Sequence, residues 1–289
     1  MAAVRCGLIG TGIGASLSPA LHEAEGRHHR LGLTYTLFDA AAPAELDRLL
    51  DEAERDGFAG LNITHPFKQQ VIKHLDDLSP QARAIGAVNT VIFRDGRRQG
   101  HNTDAYGFAE SFRCGLPGVA TRHVVQMGAG GAGAACGHAL RALGAGRLTI
   151  VDPDATRRAD LGARLGADHT PAVTPELIAG ADGLVNASPV GMRHHPGIPL
   201  PAALLHRGLW VADIVYLPVE TELLRAARAA GLRTVGGAAM CAFQAAAAFE
   251  LFTGRTPDIE RMLLHLSHLL DRGRSRLLER GNAYRDHHS

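Results

Sequence analysis

The chain has no run approaching the roughly 18–20 consecutive apolar residues that a membrane span needs. Its 289 residues include four cysteines, Cys6, Cys114, Cys136 and Cys241, far apart and without the spacing of a metal or redox motif. That spacing argues against a disulfide framework or a structural zinc site, and reduced thiols in a cytoplasmic protein are expected. No charge of one sign dominates: 30 basic residues oppose 29 acidic ones, for a net charge of +1. Such a balance creates no broad field to attract nucleic acid or an anionic membrane, so neither is an expected partner. The N-terminus, Met1 to Arg5, runs directly into a strand and lacks the separate apolar segment and cleavage site of a signal peptide. Histidine is plentiful, but the pairs His28-His29, His194-His195 and His287-His288 have no H-E-x-x-H or Cys/His cluster around them. Solvated surface histidines are expected there, and no metal.

What is present is alternation. At this length two domains are expected. In the first hundred residues strand and helix signals alternate. Strands are expected at Val4–Gly10, Thr34–Phe38, Gly60–Thr64 and Ala87–Phe93, the last turning at Asp95-Gly96. Helices are expected at Pro19–Arg30 with Ser18 as N-cap, at Ala44–Asp56 with Leu46, Leu49, Leu50 and Ala53 on one face, at Phe67–Leu75, and from Tyr106. A second unit opens with strand His123–Met127, a glycine loop and helix Ala134–Leu143. Strands Leu148–Val151, Leu184–Asn186, Trp210–Val215 and Arg233–Val235 follow, with helix Glu222–Ala230 before the last. Met240–Phe252 and Ile259–Leu277 read as helices, and the polar tail after Gly281 as frayed. The fold class is α/β with parallel sheets. A substrate-binding domain is expected at 1–106, completed by C-terminal helices at 237–289, with a Rossmann domain at 107–236.

Two glycine loops compete for a dinucleotide. Gly128, Ala129, Gly130, Gly131, Ala132 and Gly133 follow a strand and open a helix, and Asp152 ends the next strand. That context matches the dinucleotide fingerprint: glycines admit the pyrophosphate to the backbone, and the helix N-terminus offers free N–H groups. Gly10-Thr11-Gly12-Ile13-Gly14-Ala15 also follows a strand, with Asp39 ending the next, but its helix starts several residues later at Pro19. The second loop is therefore the expected cofactor site. A carboxylate at Asp152 suits the ribose hydroxyls of NAD and opposes the 2′-phosphate of NADP, although Arg157 and Arg158 follow it. NAD is the expected cofactor, with NADP less favoured.

Three polar clusters interrupt the apolar text: Asn62-Ile63-Thr64-His65-Pro66-Phe67-Lys68, Gly86-Ala87-Val88-Asn89-Thr90, and His101-Asn102-Thr103-Asp104. Oxidation of a secondary alcohol needs a hydride acceptor and a base for the hydroxyl proton; Lys68 is the candidate acid–base group and Asp104 its partner. A purely structural ion pair is the alternative.

With these motifs the chain resembles the shikimate dehydrogenase family, closest to its NAD-dependent quinate/shikimate branch. The resemblance spans about residues 5–260 and includes Asn186-Ala187-Ser188-Pro189-Val190-Gly191-Met192, Asp213-Ile214-Val215-Tyr216, and Gly236-Gly237 with Met240 and Gln244. It implies a small cyclic polyhydroxy carboxylate as substrate. The carboxylate is expected at Ser16 and Ser18, assisted by Tyr216, and the ring hydroxyls at Thr64, Asn89 and Gln244. It also implies cofactor contacts from Asn186, Ala187, Ser188, Val215, Gly237, Met240 and Arg157. Phe243 replaces a usual Tyr or His, and Leu217–Glu222 departs from the common loop. Reversible oxidation of shikimate or quinate to the 3-dehydro ketone follows as the expected activity, by a monomer or homodimer. An amino-analogue dehydrogenase and a non-enzymatic NAD sensor are the rival readings.

Overall fold

The computed structural model describes residues 3–271. Two six-stranded sheets organise them. The first sheet contains β1 (Arg5–Gly10), β2 (Thr34–Asp39), β3 (Gly60–Ile63), β4 (Asp77–Leu78), β5 (Thr90–Arg94) and β6 (Arg97–His101), in the order β2-β1-β3-β5-β6-β4. β1 runs parallel to β2 and β3. β5 runs antiparallel to both β3 and β6, so this sheet is mixed rather than parallel throughout. The cause is the link between β5 and β6: Asp95 and Gly96 both have positive φ, 53° and 68°, and a two-residue turn can only return the chain antiparallel.

Helices α1 (Ser18–His28), α2 (Leu46–Arg55), α3 (Pro80–Ile85) and α4 (Asp104–Gly115) accompany this sheet. α2 buries Leu46, Leu49, Leu50 and Ala53, the face its spacing marks, against Leu61, Ile63 and Phe67. Ser18 is not the N-cap of α1. That place falls to Leu17, and Ser18 is the first helical residue, with no side-chain cap bond at this end. The helix expected over Phe67–Leu75 is only a turn followed by a 3-10 segment, Gln70–His74. Val88 N–H donates to the Lys68 carbonyl at 2.8 Å, and Ile72 N–H turns to Gln69 instead, so the i→i+4 ladder stops after one bond. Likewise β5 begins at Thr90, not Ala87, because residues 87–89 bond to Lys68, Asn102 and His101 rather than to one strand.

The second sheet contains β7 (His123–Met127), β8 (Arg147–Val151), β9 (Asp168–Thr170), β10 (Gly183–Asn186), β11 (Trp210–Asp213) and β12 (Thr234–Gly236). Its order is β12-β11-β10-β7-β8-β9 and every pairing is parallel. This is the doubly wound dinucleotide order, with the switch point between β7 and β10. α5 (Gly131–Ala142), α6 (Ala155–Leu165), α7 (Pro175–Ala179) and α8 (Glu222–Ala229) connect its strands.

α9 (Gly237–Thr253) then leads back to the first sheet. Phe249 and Phe252 pack with Cys6, Leu8, Tyr35 and Ile92. Ala242, Ala245 and Ala246 pack against Leu21, Met262, Leu266 and Leu270, the last three on a helix at residues 259–271. Residues 272–277 of the expected last helix, and the tail after Gly281, lie outside the described residues. Among the described residues no helix is long and apolar enough to cross a membrane.

Candidate active site

The chain reverses at β5 and β6, and that reversal brings the three polar clusters together. β3 carries Asn62 and leads into Lys68; β5 pairs antiparallel beside it and is preceded by Asn89; β6 runs into Asp104, the first residue of α4. Lys68 Nζ donates to Asp104 Oδ2 at 2.6 Å. The two side chains are 15% and 7% exposed, so the pair is shielded but still open on the lysine side. The second carboxylate oxygen of Asp104 accepts from Asn89 Nδ2 at 3.0 Å. Asn89 Nδ2 also donates to Thr103 Oγ1 at 2.8 Å, and Gln244 Oε1 on α9 lies 3.5 Å from it. Asn89, Asp104, Lys68 and Gln244 thus form one cluster. Thr64 follows β3, its N–H bonded to the Ile9 carbonyl at 2.9 Å and its methyl group against Gly10.

Ser16 and Ser18 meet beyond the C-terminal end of β1, the same sheet edge at which β3 exits toward Lys68, with Ser16 Oγ donating to Ser18 Oγ at 3.2 Å. Burial pushes the Tyr216 phenol well above its ordinary pKa, and the neighbouring Ser16 hydroxyl acts in the opposite direction. The two serines and Tyr216 are therefore gathered in one place. The competing N-terminal glycine loop ties itself down: Gly12 N–H donates to Asp39 Oδ1 at 2.8 Å, and the segment up to Ser18 contains no helical turn that could present free N–H groups.

The second glycine loop has the opposite character. Its backbone is drawn tight by Gln126, a fully buried strand residue whose Nε2 donates to the carbonyls of Gly128 at 3.0 Å and Gly133 at 2.8 Å. Gly128 has φ of 98°, and a side chain there would strike the Ala187 carbonyl carbon and oxygen. A methyl group at Gly133 would fall 2.2 Å from the Gly128 carbonyl oxygen, so only glycine closes this turn. α5 starts inside the motif at Gly131, earlier than the expected Ala134. Its N-cap, Gly130, supplies no side-chain cap and has open space where a Cβ would stand. First-turn N–H groups facing open space at the β7/β10 switch point fit the pyrophosphate of a dinucleotide.

Asp152 directly follows β8 beside this loop, 7% exposed. One carboxylate oxygen accepts from Ala129 N–H at 2.8 Å and the other from Asp154 N–H at 2.9 Å. It does not cap α6; Asp154 does, accepting from Arg157 N–H at 3.0 Å. Arg157 is exposed and pairs with Asp154 at 3.3 Å, while Arg158 donates to the Asp152 and Pro153 carbonyls.

Asn186, at the end of β10, is fully buried and spends its side chain on the chain itself. Its Nδ2 donates to the Val190 carbonyl and to Asp213 Oδ1, and its Oδ1 accepts from Ser188 N–H and Oγ. The Asn186–Ser188 turn is thereby locked, with Ala187 against Gly128. Asp213 also accepts from Val215 N–H at 3.1 Å and Thr221 Oγ1 at 2.7 Å, and burial raises its pKa to about 6. Gly237 sits against the Ile214 carbonyl, which sets Val215 beside the first turn of α9.

Sequence reasoning assigned no role to Gln126, Tyr35 or Asn62. A glutamine inside an otherwise apolar strand was the available signal for the first, and the asparagine of the Asn62–Lys68 segment for the last. Among the described residues no group of three or more His, Cys, Asp or Glu side chains is placed to hold a metal ion.

Known proteins resemble this chain in sequence and fold. The family model for the shikimate dehydrogenase substrate binding domain matches residues 8–91, and that for the shikimate 5'-dehydrogenase C-terminal domain matches residues 237–263. A shikimate dehydrogenase (NADP(+)) of Streptomyces avermitilis is 55% identical over 275 residues, covering 91% of this chain and 94% of that protein. A quinate/shikimate dehydrogenase (NAD(+)) of Corynebacterium efficiens is 46% identical, covering 89% and 95%. The solved quinate dehydrogenase from Corynebacterium glutamicum in complex with NAD superposes with a TM-score of 0.85 at 43% identity, covering 92% of this chain and 99% of that one. Identity at this level, sustained over about nine-tenths of each sequence, places the chain in the shikimate dehydrogenase family.

Proposed function

We propose that the chain is an NAD-dependent dehydrogenase that reversibly oxidises shikimate, quinate or a close analogue to the 3-dehydro ketone. The observation that carries this reading is the shielded Lys68–Asp104 contact at 2.6 Å, lying against the glycine loop of a dinucleotide fold. A bound nicotinamide dinucleotide supplies the hydride acceptor. The chain's own part is to hold the alcohol and move its proton. The Lys68 amine takes the proton from the ring hydroxyl as the C–H hydride leaves, and returns it in the reverse direction. Asp104 accepts a hydrogen bond from the same hydroxyl and keeps the lysine aimed at it. Ser16 and Ser18, with Tyr216, hold the carboxylate. Thr64, Asn89 and Gln244, which can both donate and accept, hold the other hydroxyls.

On this reading residues 1–106 with 237–289 form the substrate domain, and 107–236 the cofactor domain. Gly128, Ala129, Gly130, Gly131, Ala132 and Gly133 cradle the pyrophosphate; Ala187, Ser188, Val215, Gly237 and Met240 line the nicotinamide side, with Asn186 shaping the turn. Asp152 selects NAD. Each of its oxygens carries one backbone N–H, leaving acceptor capacity for ribose hydroxyls. A 2′-phosphate at about 4 Å would meet repulsion on the order of 4 kcal/mol per charge pair at an effective dielectric near 20. Arg157 and Arg158 are already engaged with Asp154 and with backbone carbonyls, which limits what they offset.

The test is reduction of NAD and of NADP with shikimate and with quinate, four assays side by side. Turnover with NAD exceeding that with NADP on either acid is the expected result. No turnover in all four would remove the proposal.

A further inference from the structure

A line of buried polar side chains runs from the far edge of the first sheet to the Lys68–Asp104 pair, and its outermost member is Tyr35 on β2. Tyr35 Oη donates to Asn62 Oδ1 at 2.7 Å. Asn62 Nδ2 donates to Thr90 Oγ1 at 3.0 Å and to the Asn89 carbonyl at 3.2 Å. Thr90 Oγ1 donates to Asn89 Oδ1 at 3.1 Å, and Asn89 Nδ2 donates to Asp104 Oδ1 at 3.0 Å. Tyr35, Asn62, Thr90, Asn89 and Asp104 are all buried.

The direction of every bond is forced. Thr103 N–H, a backbone donor that cannot be reversed, points at Asn89 Oδ1 at 2.7 Å. The Asn89 amide nitrogen must then face Asp104. Thr90 donates to Asn89 Oδ1, so its oxygen must accept from Asn62 Nδ2. Asn62 is left with its oxygen outward, and the Tyr35 hydroxyl is the donor that meets it. Without that donor a buried acceptor is stranded, and Asn62 loses the bond that seats the outer end of its side chain. The ring itself is fixed by stacking on His22, with centroids 4.7 Å apart. The Ser18 hydroxyl also lies by the Tyr35 phenol. One hydroxyl therefore touches both the serine cluster and the relay to Asp104.

We propose that Tyr35 is a positioning residue for the Lys68–Asp104 pair: its hydroxyl fixes the Asn62–Thr90–Asn89 relay that holds Asp104 in line with the substrate hydroxyl. The proposal rests on the acid–base reading of Lys68 and Asp104. Tyr35 touches neither the pair nor the cofactor loop. Its removal acts on kcat through geometry and leaves cofactor affinity alone.

The experiment compares wild type, Tyr35→Phe, Thr90→Val and the double variant, at saturating NAD and acid. Cofactor Kd and thermal unfolding are measured on the same samples. Tyr35→Phe should lower kcat about three- to tenfold with cofactor Kd unchanged, since a misplacement of about 1 Å costs about 10²-fold and a smaller drift costs less. Thr90→Val, which cuts the same relay in its middle, should lower kcat similarly. The double variant should be no slower than the slower single, because members of one relay are not additive. If Tyr35→Phe keeps kcat within twofold and only its unfolding temperature falls, Tyr35 is structural and the proposal is overturned. Additive losses in the double variant overturn it equally. Lys68→Met is run alongside. If it stays active, the acid–base reading has failed, whereas an inactive Lys68→Met beside a fully active Tyr35→Phe sinks the Tyr35 proposal alone.

Discussion

Gly131 of the cofactor loop lies directly against Lys68: a methyl group added to Gly131 would fall 2.8 Å from Lys68 Cβ and 3.3 Å from its Cδ. Gly131 is the first residue of α5, a position any residue adopts, so Gly131→Ala carries little conformational cost of its own. The conflict is with Lys68. Either the lysine moves off Asp104, or the loop moves away from the substrate side. A displacement of this size costs from about tenfold up to about 10²-fold in kcat. Gly131→Ala should therefore lower kcat while its thermal unfolding temperature stays close to wild type. Wild-type kcat in this variant would show that the contact is slack.

The sequence made one half of this relationship plain and hid the other. The strand, glycines, helix and Asp152 lie within about 30 residues of one another, which is the length of a βαβ unit, so local spacing reveals the glycine loop. Lys68 and Asp104 are 36 residues apart, and no local rule joins them. They meet because β5 turns back at Asp95-Gly96; the sequence marks the turn, whereas the antiparallel seating of β5 against β3 is a tertiary contact. What marks Lys68 in the sequence is its place at the end of the polar cluster Asn62-Ile63-Thr64-His65-Pro66-Phe67-Lys68. Tyr35 and Thr90 give no signal of a buried relay in the sequence, for a physical reason. Both are favoured strand formers, so their presence in a strand needs no second explanation until the hydrogen bonds are seen. The helix expected over Phe67–Leu75 failed because the Lys68 carbonyl bonds to Val88, a tertiary contact that overrides local propensity.

Cofactor preference should rest on Asp152. Wild type is expected to show higher kcat/KM with NAD than with NADP, and Asp152→Ala should narrow the gap. Ala also removes the bond to Ala129 N–H, so activity with NAD should fall in absolute terms. Asp152→Asn retains one acceptor oxygen and removes the charge, and should narrow the gap with less loss. Equal wild-type kcat/KM for the two cofactors would refute the assignment.

His22 should make the fold sensitive to acid. It is fully buried against Tyr35, Phe249 and Phe252, neither ring nitrogen has a hydrogen-bond partner, and burial lowers its pKa to about 3. An unfolded histidine takes up a proton near pH 6.5 and this folded one does not. Stability from this residue is therefore full above about pH 6.5. It is lost as pH falls toward 3, at up to about 1.4 kcal/mol per pH unit. His22→Phe keeps a flat ring and removes the titration. Urea midpoints of wild type and His22→Phe should diverge between pH 7.5 and pH 5, with the variant favoured at the lower pH. Parallel curves would mean that water or rearrangement already solvates His22.

Substrate anchoring should depend on Ser16. Its hydroxyl joins Ser18 and Tyr216. Ser16→Ala should raise KM for the acid by roughly tenfold, the loss of one charge-assisted hydrogen bond of about 1.5 kcal/mol. The Kd for NAD should hardly change. Loss of NAD binding instead would make the N-terminal glycine loop the dinucleotide site and reverse the roles of the two sheets.

Proton transfer should depend on Lys68. Its Nζ is held 2.6 Å from Asp104 Oδ2, and Asp104 is in turn held by Asn89, so the amine has one defined position. Lys68→Ala should lower kcat by about 10²–10⁴-fold, the usual range for loss of a general acid–base group. Lys68→Met keeps the length of the side chain and its packing against Gly131, and loses only the amine. It should be about as slow, which separates chemistry from the steric role of the stem. Asp104→Asn should also be slow, with a rise in KM if Asp104 also positions the hydroxyl. NAD affinity should survive in all three, because the cofactor loop takes its own hydrogen bonds from Gln126 and Asp152. The deciding number is kcat of folded Lys68→Met at saturating substrate. A value within about threefold of wild type would confine Lys68 to binding, and the proton would then have to leave through Asp104 or water.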